Sequence, residues 1–232
     1  MRLQHAAVTI LLLSGLTAAF AGSATFTSIQ TMTSWKSCTT CAGTGQASVF
    51  TMKQAIATPS LDGHSAEFFI SGGPGFSKGL WWRRMSSDTS ATHFVLDMNY
   101  YMDRPAASQG LEFAANQAVN GGWYKFSTQC SFAKGVWSAW DSKNGGWVST
   151  GIPCARPSAY TWTHARFEYA RSGGKAIFVS ITLNGVKHYA NKSFYPQSTS
   201  ASGSVGIHFQ LNGNRNMDPY GVWVDQMALN YW

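Results

Sequence analysis

The stretch THFVLDMNYYM, from Thr92 to Met102, decides the fold. Phe94, Leu96, Met98, Tyr100 and Met102 alternate with Val95, Asp97, Asn99 and Tyr101. Successive side chains of a strand point to opposite sides, so alternation over this length marks a strand with one dry face and one wet face. Arg104-Pro105 ends it, because proline cannot donate into a ladder. The same texture recurs outward in both directions. Short apolar or alternating segments are expected at 66–70, 80–85, 111–119, through Cys130, at 136–140, from Trp147, and at 161–170, 176–183, 186–189, 204–211 and 220–232, separated by glycine, asparagine and proline. Asn184-Gly185 is a two-residue hairpin signal. Roughly twelve to fourteen strands with hairpin-length links predict an all-β, two-sheet antiparallel β-sandwich of the jelly-roll type. Gln109 to Ala118 contains helix-forming residues, yet Leu111-Glu112-Phe113 fits a strand equally well. The last strand runs to Trp232, and an apolar terminus of this kind must dock in the sheet.

Composition supports a sheet protein. Of 232 residues, 44% are hydrophobic and only 12% charged, with 23 glycines and 10 tryptophans, which excludes a coiled coil and a disordered tail. The net charge is +7, but the basic residues are scattered and Arg83-Arg84 is their only adjacent pair. A nucleic-acid surface needs a basic stripe, so no nucleic-acid partner is expected. Arg2 and His5 precede an apolar run, Ala6 to Phe20, and Ala19-Phe20-Ala21 places small residues where a signal peptidase reads them. The expected organisation is a signal peptide, 1–21, and a single jelly-roll domain, 22–232, secreted or held in a periplasmic or surface compartment with no stable membrane span. Export makes the four cysteines, Cys38, Cys41, Cys130 and Cys154, candidates for disulfides. Three connectivities are possible, and the local one, Cys38 with Cys41 and Cys130 with Cys154, is favoured. Cys38 and Cys41 lack a second pair at zinc-knuckle spacing, and glycines rather than a helix follow them, so they read as a loop staple.

Candidate chemistry follows from strand parity. If Leu111 and Phe113 face the core, Glu112 and Asn116 project outward together, with Ala114 leaving room between them. A carboxylate and a carboxamide on a sheet face suit sugar hydroxyls. Trp123, Trp137, Trp140 and Trp147 cluster in one stretch with Asp141, and indole faces pack against the C–H patches of sugar rings. Trp137 and Trp140 have opposite parity, so one of the two is expected in the core. Glycoside hydrolysis needs two carboxyl groups across a cleft. The acids considered for this are Asp97, Glu112, Asp141, Glu168 and Asp225, with Glu112 and Asp97 the leading catalytic pair. The histidines are scattered and show no short metal spacing, and 212–218 carries too few acids for calcium. No metal and no cofactor are expected.

An ordered set of segments carries a resemblance: Trp35 with Cys38-Thr39-Thr40-Cys41, Pro59-Ser60-Leu61-Asp62-Gly63, Leu80-Trp81-Trp82, Leu111-Glu112-Phe113 with Asn116-Gln117, Ser127-Thr128-Gln129-Cys130, Gly151-Ile152-Pro153-Cys154, Leu183-Asn184-Gly185-Val186 and Trp223-Val224-Asp225. In these the chain resembles a group of exported, mostly acidobacterial proteins of the concanavalin A-like lectin/glucanase superfamily. The resemblance spans nearly all of the chain after the leader and brings no catalytic residues with it. Where that group has Glu-Phe-Asp, this chain has Glu112-Phe113-Ala114, so only Glu112 matches an acid of the glucanase pattern. The resemblance therefore implies carbohydrate as partner and leans toward binding. The lead expectation is a lectin-like domain that takes a poly- or oligosaccharide on an aromatic-lined sheet face. The alternatives are a glycoside hydrolase using Glu112 with Asp97, a polysaccharide lyase acting on acidic substrates, and an adhesive or structural surface module.

Overall fold

The structure is a computed structural model that describes residues 22–38, 45–201 and 203–232. The described residues form two eight-stranded sheets whose named strands all pair antiparallel. The strands are β1 Ala24–Phe26, β2 Lys36–Cys38, β3 Val49–Ile56, β4 Ser65–Ser71, β5 Lys78–Ser86, β6 His93–Met102, β7 Ser108–Val119 and β8 Gly122–Ser131. They continue as β9 Val136–Asp141, β10 Gly146–Pro153, β11 Trp162–Ser172, β12 Lys175–Leu183, β13 Val186–Phe194, β14 Gln197–Ser198, β15 Ser204–Gly213 and β16 Tyr220–Tyr231. One sheet runs β13-β12-β11-β6-β16-β4-β3, with β1 also on β16. The other runs β10-β9-β8-β7-β15-β5-β2, with β14 on β8. This is the expected jelly-roll, concanavalin A-like sandwich, and β7 takes up the segment whose sequence suited helix or strand alike. Residues 1–21, the expected signal peptide, lie outside the described part.

Alternation is what joins the two layers. Along β6 the inward residues Phe94, Leu96, Met98, Tyr100 and Met102 are buried, while Asp97, Asn99 and Tyr101 stay half-exposed. Facing them, Leu111, Phe113 and Ala115 of β7 and Ile207, Phe209 and Leu211 of β15 close the core from the other side. Phe113 sits at the centre. Its ring lies 5.0 Å from Phe209 on its own sheet and 5.2 Å from Phe167 on the opposite one. Burying each such ring is worth about 1.5–3 kcal/mol. The core also admits hydrogen bonds between layers, as between Thr128 Oγ1 and the Tyr169 hydroxyl at 2.6 Å. Burial pushes that phenol far above its ordinary value, so it stays neutral.

Turn chemistry follows the sequence. Asn184 and Gly185 both take positive φ, 46° and 85°, and close the β12–β13 hairpin with Leu183 opposite Val186. This is the mirror-image turn that an Asn-Gly pair favours. At the other end of the chain Trp232 is docked: its carbonyl accepts from the Thr92 and His93 amides, and its ring stacks on His93 at 5.5 Å. Cys130 and Cys154 are joined, tying the end of β8 to the segment after β10. Cys38 ends β2, and its expected partner, Cys41, lies outside the described residues. No helix among the described residues is long and apolar enough to cross a membrane.

Candidate functional site

The outward face of the β7 sheet carries a polar field, and strand register builds it in rows. Glu112 on β7 stands opposite Gln210 of β15 and Gln129 of β8, and Gln129 stands opposite Ser138 of β9. One step along the strands, Ala114 lies between His208 and Ser127, and His208 is opposite Trp82 of β5. The next row is Arg84, Gly206, Asn116 and Lys125. The small side chain of Ala114 leaves the middle of the field shallow, so His208 and Ser127 reach across it to one another.

Glu112 is the centre of a hydrogen-bonded set. Its Oε1 accepts from His208 Nε2 at 2.8 Å and its Oε2 from Gln210 Nε2 at 3.0 Å. The Asn116 amide nitrogen faces His208 Nδ1 at 3.3 Å, so in the neutral ring Nε2 carries the hydrogen given to Glu112. Gln210 also donates to Asn212 Oδ1 at 2.9 Å. Two buried polar atoms of the set have no hydrogen-bond partner, Asn116 Oδ1 and Asn212 Nδ2. Buried polar groups are nearly always satisfied, so an open acceptor in the Gly206 row and an open donor in the Gly110 row mark two places along the field where partners are missing. Lys125 lies over the Trp123 ring at 4.0 Å. Burial lowers its ammonium below the ordinary lysine value, and the Glu112 carboxylate partly opposes that.

Tryptophans border the field. Trp82 and Trp123 are 37% and 38% exposed. Trp140 and Trp147 are opposite one another on β9 and β10, half-buried, and meet edge to face at 5.1 Å. A lysine ammonium stands over each exposed ring, Lys36 over Trp82 and Lys125 over Trp123.

The structure corrects several expectations. Trp137, expected among the ligand-binding rings, is 1% exposed and packs inward against Phe113 and Phe167 instead of lining the outward face. Trp140 has the opposite parity and takes the outward place. Asp141 is a turn brace, its carboxylate accepting from the Lys143 and Asn144 amides and from Asn144 Nδ2. The pair Glu112 and Asp97 does not assemble. Asp97 is on β6, on the outer face of the other sheet, where it binds His164 at 2.7 Å and Arg166 at 3.1 Å. Both acids obey the same alternation, but on different sheets that places them on opposite sides of the molecule. Glu168 is held by Ser180 and Lys187 on that outer face as well, and Asp225 is wholly buried. Among the described outward positions of β5, β7, β8, β9, β10 and β15, Glu112 is the only acid. No described group of three His, Cys, Asp or Glu side chains is placed to hold a metal ion.

Sequence reading missed Trp82, Lys125, Ser127, His208 and Gln210. Their signal was present. Adjacent tryptophans on one strand must face opposite ways, so Trp81 in the core requires Trp82 outside. Likewise the buried run Val205, Ile207, Phe209 and Leu211 forces His208, Gln210 and Asn212 onto the Glu112 side.

No family model matches the chain, and neither does any curated protein. The likeness to an acidobacterial group therefore gains no support, and what is shared with known proteins is the sandwich. Among solved structures the chain is similar to the cellulose induced protein Cip1, at 13% identity over 84% of this chain and 90% of that one, with a TM-score of 0.51. It is also similar to arcelin-5, a lectin-like defense protein from Phaseolus vulgaris, at 13% identity over 90% of this chain and 98% of that one, with a TM-score of 0.50. At such identity the likeness is one of fold: an all-β, jelly-roll sandwich of the concanavalin A-like kind.

Proposed function

We propose that this is an exported carbohydrate-binding domain whose ligand, an oligo- or polysaccharide, lies across the outward face of the β7 sheet. The observation that carries the reading is the Glu112–His208–Gln210–Asn116 set with its unpartnered Asn116 Oδ1 and Asn212 Nδ2, bordered by the exposed rings of Trp82 and Trp123. Sugar recognition asks for this combination: fixed donors and acceptors for hydroxyls, and flat apolar rings for C–H patches. Glu112 serves as a fixed acceptor, oriented by His208 and Gln210. A carboxylate with no facing acid among the described residues does not supply the pair that glycoside hydrolysis uses, so the reading is binding without turnover. The leader at 1–21 and a single folded unit from 22 onward belong to the same proposal.

The test is isothermal titration calorimetry of the oxidised protein against soluble neutral polysaccharides. A saturable isotherm is expected, weakened about tenfold by Trp82→Ala, the scale of one lost aromatic contact. Trp162→Ala, on the outer face of the opposite sheet, should leave it unchanged. Continuing heat in proportion to protein would mean turnover and overturn the binding reading. Equal losses in the two variants would overturn the assignment of the face.

A further inference from the structure

Beyond the tryptophan border, a cleft of about 630 Å³ opens between the β9–β10 turn, the β11–β12 turn and the segment leading into β14. Ser142, Lys143, Gly174, Tyr195 and Gln197 line it. Two features set it apart. The ammonium groups of Lys143 and Lys175 stand over the same Tyr195 ring, at 5.3 Å and 4.9 Å. Neither has a carboxylate within ion-pair distance among the described residues. Tyr195 itself is half in solvent. In addition, Ser142 is only 8% exposed, yet its Oγ has no hydrogen-bond partner. Asp141, the nearest acid in the chain, has its carboxylate engaged by its own turn.

We propose that this cleft binds an anionic substituent of the glycan, a sulfate ester or a uronate carboxylate. Two ammonium groups held by one ring at the cleft, Lys143 in its lining and Lys175 beside it, supply the charge, the Ser142 hydroxyl supplies an unpaired donor, and Tyr195 supplies a ring for the sugar that carries the anion. The cleft adjoins the proposed glycan face, because Gln197 pairs in the ladder with Trp123. One chain of sugars crossing the face toward Trp123 would arrive at the two lysines. The inference rests on the proposed function for its ligand, but the anion site stands on its own residues.

The experiment has two parts. In the first, sodium sulfate is added to the full protein against sodium chloride at equal ionic strength, and backbone amide resonances are followed. Sulfate should shift Ser142, Lys143 and Gly174, and the double variant Lys143→Ala with Lys175→Ala should abolish those shifts. The charge-matched double variant Lys53→Ala with Lys134→Ala should keep them. Absence of the shifts, or their equal loss in both variants, would overturn the site. In the second part, dextran, dextran sulfate and polygalacturonate are titrated. Stronger binding of dextran sulfate assigns a sulfate ester, and of polygalacturonate a uronate. The Lys143/Lys175 variant should weaken the preferred polymer about tenfold, the scale of a lost charge-assisted contact. No preference for either charged polymer over dextran would overturn the proposal. Sulfate shifts that persist while Trp82→Ala leaves all polymer binding intact would refute the sheet face and keep the anion site.

Discussion

Asp225 offers a test of how this fold holds its N-terminal segment. It lies wholly buried at an irregularity of β16, where Gln226 takes φ 51° and the register against β6 slips between Asp225 and Ala228. Oδ2 accepts from Ser60 Oγ at 2.7 Å and from the Leu61 amide at 2.6 Å. Oδ1 accepts from the Gln226 amide at 2.8 Å and from Gln30 Nε2 at 3.2 Å. These donors cannot reverse roles. Ser60 Oγ already accepts from the Gly63 and His64 amides, and Gln30 Oε1 accepts from Met227 N at 3.0 Å. Asp225→Asn keeps the shape but turns one acceptor into a donor, so at least two donors around a buried carboxylate, each buried or part-buried, lose their acceptor. At about 1–3 kcal/mol for each unsatisfied group, we expect a loss of about 3 kcal/mol. For a chain of this size that is a fall in Tm of about 6–12 °C.

The same carboxylate fixes a pH dependence. Burial by itself pushes Asp225 up, but the hydrogen bonds from Ser60, Leu61 and Gln226 outweigh it and hold the group below the ordinary aspartate range. A lowered value in the folded state stabilises at pH above the unfolded aspartate value, about 3.9, and that stability is lost as pH falls through the folded value. Urea denaturation at pH 7 and at successively lower pH should therefore show the gap between wild type and Asp225→Asn at full size near neutrality and shrinking below about pH 4. A gap under about 0.5 kcal/mol at pH 7, within the range of ordinary surface changes, would refute the reasoning. So would a gap that stays constant on acidification.

Three further outcomes follow from the same geometry. Phe113→Ala removes the ring that touches both Phe209 and Phe167 and should cost about 3–5 kcal/mol in urea denaturation, whereas Trp137→Phe, which keeps most of the core volume, should cost clearly less. Replacing Cys130 and Cys154 together by serine opens a loop set by a sequence separation of 24 residues; by loop entropy this should lower stability by about 3 kcal/mol, read as a fall in the denaturation midpoint. Glu112→Gln exchanges an acceptor for a donor opposite His208 and Gln210; it should weaken polysaccharide binding about tenfold in calorimetry, the scale of a lost charged hydrogen bond.

The sequence by itself determined the faces. Period-two alternation in 92–102, 111–119 and 204–211 told which side chains point inward, because pleated backbone admits no other arrangement. That rule separated Trp137 from Trp140, placed Glu112 beside Asn116, and held the information that Trp82 and His208 must face outward. The Asn184-Gly185 turn was equally legible, since the conformation it needs is a local property of those two residues. What only the tertiary structure decided was which strands are neighbours and in what register. Glu112 meets His208 across 96 residues of chain and Asp225 meets Ser60 across 165. Alternation says nothing about which sheet a strand joins, so Asp97 and Glu112 had the same apparent standing until pairing sent them to opposite sides. Contacts at such separations are fixed by the packing of whole layers, and no local pattern carries them.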